Sequence, residues 1–208
     1  MNAQPMKPII NIGLAALSAL LLFQTGCSVL KPKADLTQFF VLRPGSADSN
    51  AEERTGAALP EIRIGPGNVA SYLESTPIVV AKGPNRVEQL DLYHWAEPLP
   101  KGISRTLAQD LAQRLNLPHL TLYPDTAPGD SSTELHFMIN RFEGKLDGPV
   151  TLDVSWQILQ QPDGRVVASK HSVYVIPAGR ADVASYVDRL SQALSKWATD
   201  VAPAISPQ

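Results

Sequence analysis

Cys27 is the chain's one thiol, and it follows Phe23-Gln24-Thr25-Gly26 at the end of an apolar run. A small residue before a lone cysteine, at the end of a secretory apolar segment, is where bacteria attach a diacylglyceryl group as a thioether. The leader carries Lys7 and no acid, and Ile9 to Phe23 is broken only by Asn11, Gly13 and Ser18. That run falls short of the about 20 apolar residues a bilayer-spanning helix needs. Residues 1–26 are therefore expected to be a lipoprotein signal peptide. Cys27 would carry S-diacylglycerol and N-acyl chains such as palmitate, and residues 27–36, with Lys31-Pro32-Lys33, would form a lipidated tether. Gln24 stands where the usual lipobox has Leu, so an ordinary leader with Cys27 as a spare thiol stays open as the other reading. Ser28, not Asp, follows the cysteine, which points to the periplasmic face of the outer membrane.

Little else in the sequence has the spacing of chemistry. His94, His119, His136 and His171 match no metal motif such as H-E-x-x-H, and there is no G-x-S-x-G elbow, phosphate loop or dinucleotide fingerprint. Gly65-Pro66-Gly67 is expected to be a turn that ends a strand, because proline removes one of the amides a phosphate cradle would use. Glu97, in Trp95-Ala96-Glu97-Pro98-Leu99, is the most conspicuous acid, and a carboxylate before proline usually caps a helix or pairs with a cation. Trp95, Glu97, Pro98 and Leu99 are read either as a structured loop leading into a helix or as a partner-binding surface. Tyr186 and Trp197 fall on an apolar helical stripe and belong to the core. No catalytic residue, metal or cofactor beyond the lipid on Cys27 is expected, so the chain is not read as an enzyme.

With 18 Lys and Arg against 20 Asp and Glu, the formal net charge of −2 gives no electrostatic footprint for nucleic acid. A single cysteine excludes a disulfide framework within the chain. After the leader and tether, residues 37–208 are one domain's worth of sequence.

The elements follow from periodicity. Phe39-Phe40-Val41-Leu42, then Ile62 to Ile64, then Pro77 to Ala81 are strand candidates, with a polar excursion from Pro44 to Leu59 between the first two. Gly83-Pro84-Asn85 turns the chain into Arg86 to Leu90. Ile103, Leu107, Leu111 and Leu115 recur at spacing four, predicting a helix from Gly102 to Leu117 with Ser104 as cap and Pro118 as stop. Leu120 and Leu122 make a short strand. Leu135-Phe137-Ile139 and Val150-Leu152-Val154-Trp156-Ile158 alternate with polar residues, predicting strands with one buried face. Gln161-Pro162-Asp163-Gly164 reads as a hairpin turn into Arg165 to Ile176. Val183, Tyr186, Val187, Leu190, Ala193, Leu194 and Trp197 form a helical stripe capped by Asp182. The fold class is α+β, a single domain with one largely antiparallel sheet packed against two main helices.

Several of these segments resemble the ABC-type transport auxiliary lipoproteins of the PqiC/YmbA type. The resemblance is carried by Phe39-Phe40-Val41-Leu42, Ile62-Arg63-Ile64-Gly65-Pro66, Tyr72-Leu73 with Pro77-Ile78-Val79, and His94-Trp95-Ala96-Glu97-Pro98-Leu99. Arg141-Phe142-Glu143-Gly144, Leu152 through Trp156 and the helix containing Tyr186 extend it over roughly residues 36 to 200. It departs from the family's usual pattern at Phe39-Phe40, often Tyr-Tyr, and at Glu74-Ser75-Thr76-Pro77, often an Asp-Arg-Pro stretch. The resemblance implies a lipoprotein that docks a periplasmic MCE-domain protein and its ABC permease to the outer membrane, supporting lipid transport and envelope integrity. It leaves open homo-oligomers, a lipid carrier with its own groove, and, as the remotest option, an envelope hydrolase.

Overall fold

The strands Thr133–Gly144 (β6) and Val150–Gln160 (β7) show how the core is built. Their apolar residues face each other in antiparallel register, Leu135 with Ile158, Phe137 with Trp156 and Ile139 with Val154. All six are buried, while the alternate residues Met138, Asn140, Ser155 and Gln157 are exposed. This computed structural model describes residues 34–45, 61–125 and 132–205. The chain divides into two units, Met1–Leu36 and Thr37–Gln208. Of the first, residues 34–36 are exposed coil; Cys27, the leader and most of the Pro44–Leu59 excursion lie outside the described residues.

In the second unit the elements run Gln38–Phe40 (β1), Ile62–Val69 (β2), a 3-10 turn at Ser71–Leu73, Pro77–Gly83 (β3) and Arg86–Trp95 (β4). Leu99–Leu115 (α1), Thr121–Leu122 (β5), β6, β7, Arg165–Ile176 (β8) and Val183–Ile205 (α2) complete it. The class is α+β, as the periodicity predicts. The long pairings β3–β4, β6–β7 and β7–β8 are antiparallel. The strands form two sheets, however, ordered β1-β4-β3 and β5-β2-β6-β7-β8, where one sheet is expected. The 3-10 turn takes the chain out of the five-stranded sheet, and β3 and β4 then build the three-stranded sheet that β1 completes. β1 joins β4, and β2 joins β5 and β6, in parallel pairs between residues remote in sequence. No tight turn marks such a pairing, which is why local sequence does not reveal it.

The strand β2 runs through Gly65-Pro66-Gly67, where the sequence predicts a break. Its register against β6 shifts between Ile64 and Gly67, so Pro66, without an N–H, falls where the ladder is interrupted anyway. The glycines permit close packing: a Cβ on Gly65 would collide with the His136 ring, and one on Gly67 with the Phe137 ring. The first helix also begins earlier than expected, at Leu99 rather than Gly102. Pro98 occupies the N-cap and Pro100 the first turn, where a missing N–H costs nothing, and the Gly102 N–H closes the turn on the Pro98 carbonyl at 3.0 Å. Ser104 is thus inside the helix and caps nothing. Asn116, at φ 54°, ends it with its N–H on the last turn.

The second helix matches its prediction closely. Asp182 Oδ1 accepts the Ser185 N–H at 2.8 Å, and Val183, Tyr186, Val187, Leu190, Ala193, Leu194 and Trp197 are all buried. Trp197 meets Phe137 edge to face at 5.1 Å, joining α2 to the sheet. The helix α1 packs along α2 and β2, and α2 lies across β7 and β8. In the hairpin between β7 and β8, Gly164 takes φ 65°, as the turn requires. No helix among the described residues is long and apolar enough to cross a membrane.

Candidate functional site

The link between β4 and α1 is the segment that sequence singles out, and backbone bonds hold it on both sides. The Trp95 N–H donates to the Thr76 carbonyl and the Ala96 N–H to the Phe40 carbonyl, each at 2.9 Å. Strand alternation then sends Trp95 inward, where it is 7% exposed, and Leu99 follows it into the core at the first turn of α1. Glu97 stays at the surface. Its Oε1 accepts from Arg105 Nε at 3.0 Å and Nη2 at 2.6 Å, and Arg105 Nη2 also donates to the Leu42 carbonyl at 3.1 Å. Gly102 leaves room for the carboxylate, since a Cβ there would stand 3.3 Å from Glu97 Oε1.

Beside this pair lies an open groove of about 630 Å³, lined by Val41 to Pro44, Ala96, Glu97, Arg105, Gln109 and Gln113. Arg105, Gln109 and Gln113 fall at successive spacings of four on α1, so they share one polar stripe. Sequence reasoning passed over Arg105. The signal was available: a polar row at spacing four offset from the apolar row Ile103, Leu107, Leu111 and Leu115.

The Arg141-Phe142-Glu143-Gly144 segment has a different environment. Glu143 is buried, and accepts from Tyr72 Oη at 2.6 Å, the Phe142 N–H at 3.0 Å and Arg141 Nε at 2.9 Å. Burial, reinforced by the Glu143 carboxylate, pushes the Tyr72 phenol far above its ordinary value. The Gly144 N–H donates to Tyr186 Oη at 3.1 Å, and that hydroxyl donates onward to the Val79 carbonyl at 2.8 Å. One phenol on α2 thereby ties the central strand β6 of the larger sheet to the edge strand β3 of the smaller one. A Cβ on Gly144 would collide with the Pro149 carbonyl oxygen, so glycine is required at that close approach.

Other charged side chains are buried as well, among them Asp110, Arg63 and Glu134. Asp110, on α1 and 1% exposed, accepts the Gly45 N–H on Oδ1 at 2.9 Å, while its Oδ2 has no partner among the described residues. Burial raises its carboxyl to about 6, against the opposing pull of that hydrogen bond and of Arg114. Arg63 on β2 donates to Glu134 Oε1 at 2.7 Å, and His136 Nε2 meets Glu134 Oε2 at 2.8 Å. Burial works to raise the Glu134 carboxyl, but the hydrogen bonds from His136 and Arg63 outweigh it and hold it below the ordinary value.

The histidines are scattered. His94 stands edge-on to Phe39 at 5.9 Å, His119 is exposed, and His171 Nε2 meets Asp153 Oδ1 at 2.9 Å on the open face of the five-stranded sheet. Each buried carboxylate is thus engaged by structural donors. Trp95 and Leu99 are brought into the core and Glu97 and Pro98 to the surface, while Cys27 lies outside the described residues.

These features match known proteins in fold and in family. A protein of Xanthomonas campestris from the DUF330 family shares 18% identity at a TM-score of 0.61, over 80% of this chain and 93% of its own. A solved structure titled only as an uncharacterized protein shares 18% identity at a TM-score of 0.65, over 82% and 99%. A PelC dodecamer from Paraburkholderia phytofirmans follows at 13% identity and a TM-score of 0.45, over 74% and 94%. No curated protein sequence matches the chain. The sequence model for the ABC-type transport auxiliary lipoprotein component matches residues 40–202, from the end of β1 to the last turns of α2, and the chain belongs to that family.

Proposed function

We propose that this chain is an outer-membrane lipoprotein, acylated on Cys27, that docks a periplasmic MCE-domain protein of an ABC transport system to that membrane. It would thereby support lipid movement between the envelope membranes without turning over a substrate. The observation that carries this reading is the family match across nearly the whole folded unit, whose description names both a lipoprotein and an auxiliary component of ABC-type transport. Ser28 after the cysteine supports the outer membrane, and the surface pair Glu97–Arg105 beside an open groove supplies a polar surface for a protein partner.

The runner-up is a carrier that holds lipid itself. Such a protein needs an apolar cavity sized for acyl chains. Here the apolar stripes of α1 and α2 are buried in the core, and the groove presents Glu97, Arg105, Gln109 and Gln113. Those observations favour the adaptor.

Capture of the detergent-solubilised protein, with mass spectrometry of the proteins and lipids it retains, tests the choice. The adaptor brings down an MCE-domain protein in stoichiometric amount and no lipid beyond its own anchor. Stoichiometric free lipid without such a protein overturns it. Labelling with a fatty-acid analogue tests the anchor separately: Cys27→Ala should take up none, and label retained by that variant removes the assignment.

A further inference from the structure

Phe39 is the most exposed large apolar side chain among the described residues, at 64%. Alternation along β1 puts it there. Phe40 turns inward to pack on Tyr93 and the core, at 6.1 Å between rings, which leaves Phe39 on the outer side against His94. Leu92, two residues before His94 on β4, is 46% exposed, and Val41, two residues after Phe39, is 36% exposed. From Gln38 to Leu42 the sequence carries no charge at all. An outward phenylalanine with Val41 on its own uncharged stretch and Leu92 on the neighbouring strand is a small apolar patch that stays largely exposed beside His94.

What covers it follows from where the chain leads. The patch lies on the first element of the folded unit, and the segment entering that element comes from Cys27. An extended chain spans at most about 3.3–3.6 Å per residue, so acylation of Cys27 would keep Phe39 within roughly 40 Å of the bilayer. Lys31 and Lys33 lie between the two and favour phosphate headgroups. Three side chains are too few to bind a bilayer unaided. Held beside it by acyl chains, the same side chains act at high effective concentration.

We propose that the outward side of the β1–β4 pair, Phe39 with Val41 and Leu92, rests in the interfacial layer of the bilayer that holds Cys27. This rests on the acylation reading above. It fixes an orientation, with the outward side of β1 toward the lipid, while β8, the edge strand of the other sheet, takes no part in that contact.

The native tryptophans Trp95, Trp156 and Trp197 are all buried, so they add a constant background, and bromine in the bilayer quenches chiefly a tryptophan placed at the surface. The acylated full mature chain, as Phe39→Trp, Leu92→Trp or Val175→Trp, is incorporated into phosphatidylethanolamine vesicles whose acyl chains are brominated near the headgroup. Vesicle flotation is measured on the same samples. The expected result is flotation of all three, with bromine quenching at least twofold stronger at positions 39 and 92 than at position 175, which is 54% exposed on β8. Flotation with equal quenching at all three positions overturns the orientation and leaves the anchor standing. Failure to float overturns the anchor and the orientation with it. A concentration-dependent blue shift of the Phe39→Trp emission without lipid overturns the proposal in favour of contact between copies of the chain.

Discussion

Glu97 and Glu143 are each paired with an arginine, each in a segment by which the sequence resembles its family, and they behave differently because of where they sit. The Glu97 and Arg105 side chains are 26% and 32% exposed, and their contacts reach one backbone carbonyl and one glutamine. The Glu143 side chain is 5% exposed, and besides Arg141 it serves a phenol and a buried backbone N–H. An exposed pair loses most of its Coulomb energy to water and side-chain entropy and is worth about 0–1 kcal/mol. A buried acceptor cannot be removed without orphaning its donors. The two acidic positions therefore divide into one whose pairing contributes little to the fold and one that the fold cannot spare.

The sharpest break in this comparison lies within the β4–α1 link itself. Trp95→Ala should cost about 3–5 kcal/mol, because it empties a buried site where β4 meets α1. Denaturant unfolding measures it, and a loss below about 1 kcal/mol would mean that the indole is not a core element. Next comes Glu143→Ala, expected to cost about 2–3 kcal/mol by leaving the buried Phe142 N–H without its acceptor and Tyr72 without its charged partner. A cost equal to that of Glu97→Ala would erase the distinction between the two glutamates.

Asp110 sharpens the comparison through pH. Its folded-state value of about 6 lies above the ordinary 3.8, so the folded protein binds that proton more tightly than the unfolded chain does. The associated stability is present below about pH 4 and is lost as pH rises through about 6, amounting to roughly 2–3 kcal/mol. Asp110→Asn keeps an oxygen for the Gly45 N–H but carries no charge. Between about pH 4 and 7 the variant should gain on the native protein by up to that amount, read from paired unfolding curves. Glu134 and Asp153, held low by their partners, act at more acidic pH and are common to both proteins. A pH-independent difference would show that the buried carboxyl keeps an ordinary affinity for its proton.

The α+β class, the β6–β7 alternation, the Asp182 cap and the buried stripe of α2 were legible in the sequence, because each is written in a local period or a single capping residue. The second sheet was not, since β1–β4 and β2–β6 are parallel pairings of distant segments. Gly65-Pro66-Gly67 misled for a related reason: composition says turn, and only the neighbouring His136 and Phe137 rings explain why glycines sit within a strand. At the candidate site, Glu97 stood out by its place before proline. Its partner Arg105 was legible only as a member of the polar row Arg105, Gln109 and Gln113 on α1, because the pairing itself, across eight residues of loop and helix, has no period.

The smallest stability effect is the one that bears most on function. If Glu97 and Arg105 form a releasable surface pair, each single alanine variant should shift stability by less than about 1 kcal/mol, and a double-mutant cycle should give a coupling in the same range. The same variants, still folded, should lose capture of the proposed MCE-domain partner if the groove beside them is where that partner docks. A charge pair at a protein interface becomes desolvated on binding, and truncating one member there costs about 2–5 kcal/mol, or more than tenfold in affinity. Rim positions change mainly the association rate and its salt dependence. Measuring capture at two salt concentrations separates the cases. Weaker binding at both concentrations places the pair inside the interface, and a defect confined to low salt places it at the rim. Undiminished capture by folded Glu97→Ala and Arg105→Ala would move docking away from the β4–α1 link and leave Trp95, not Glu97, as the reason that segment is built as it is.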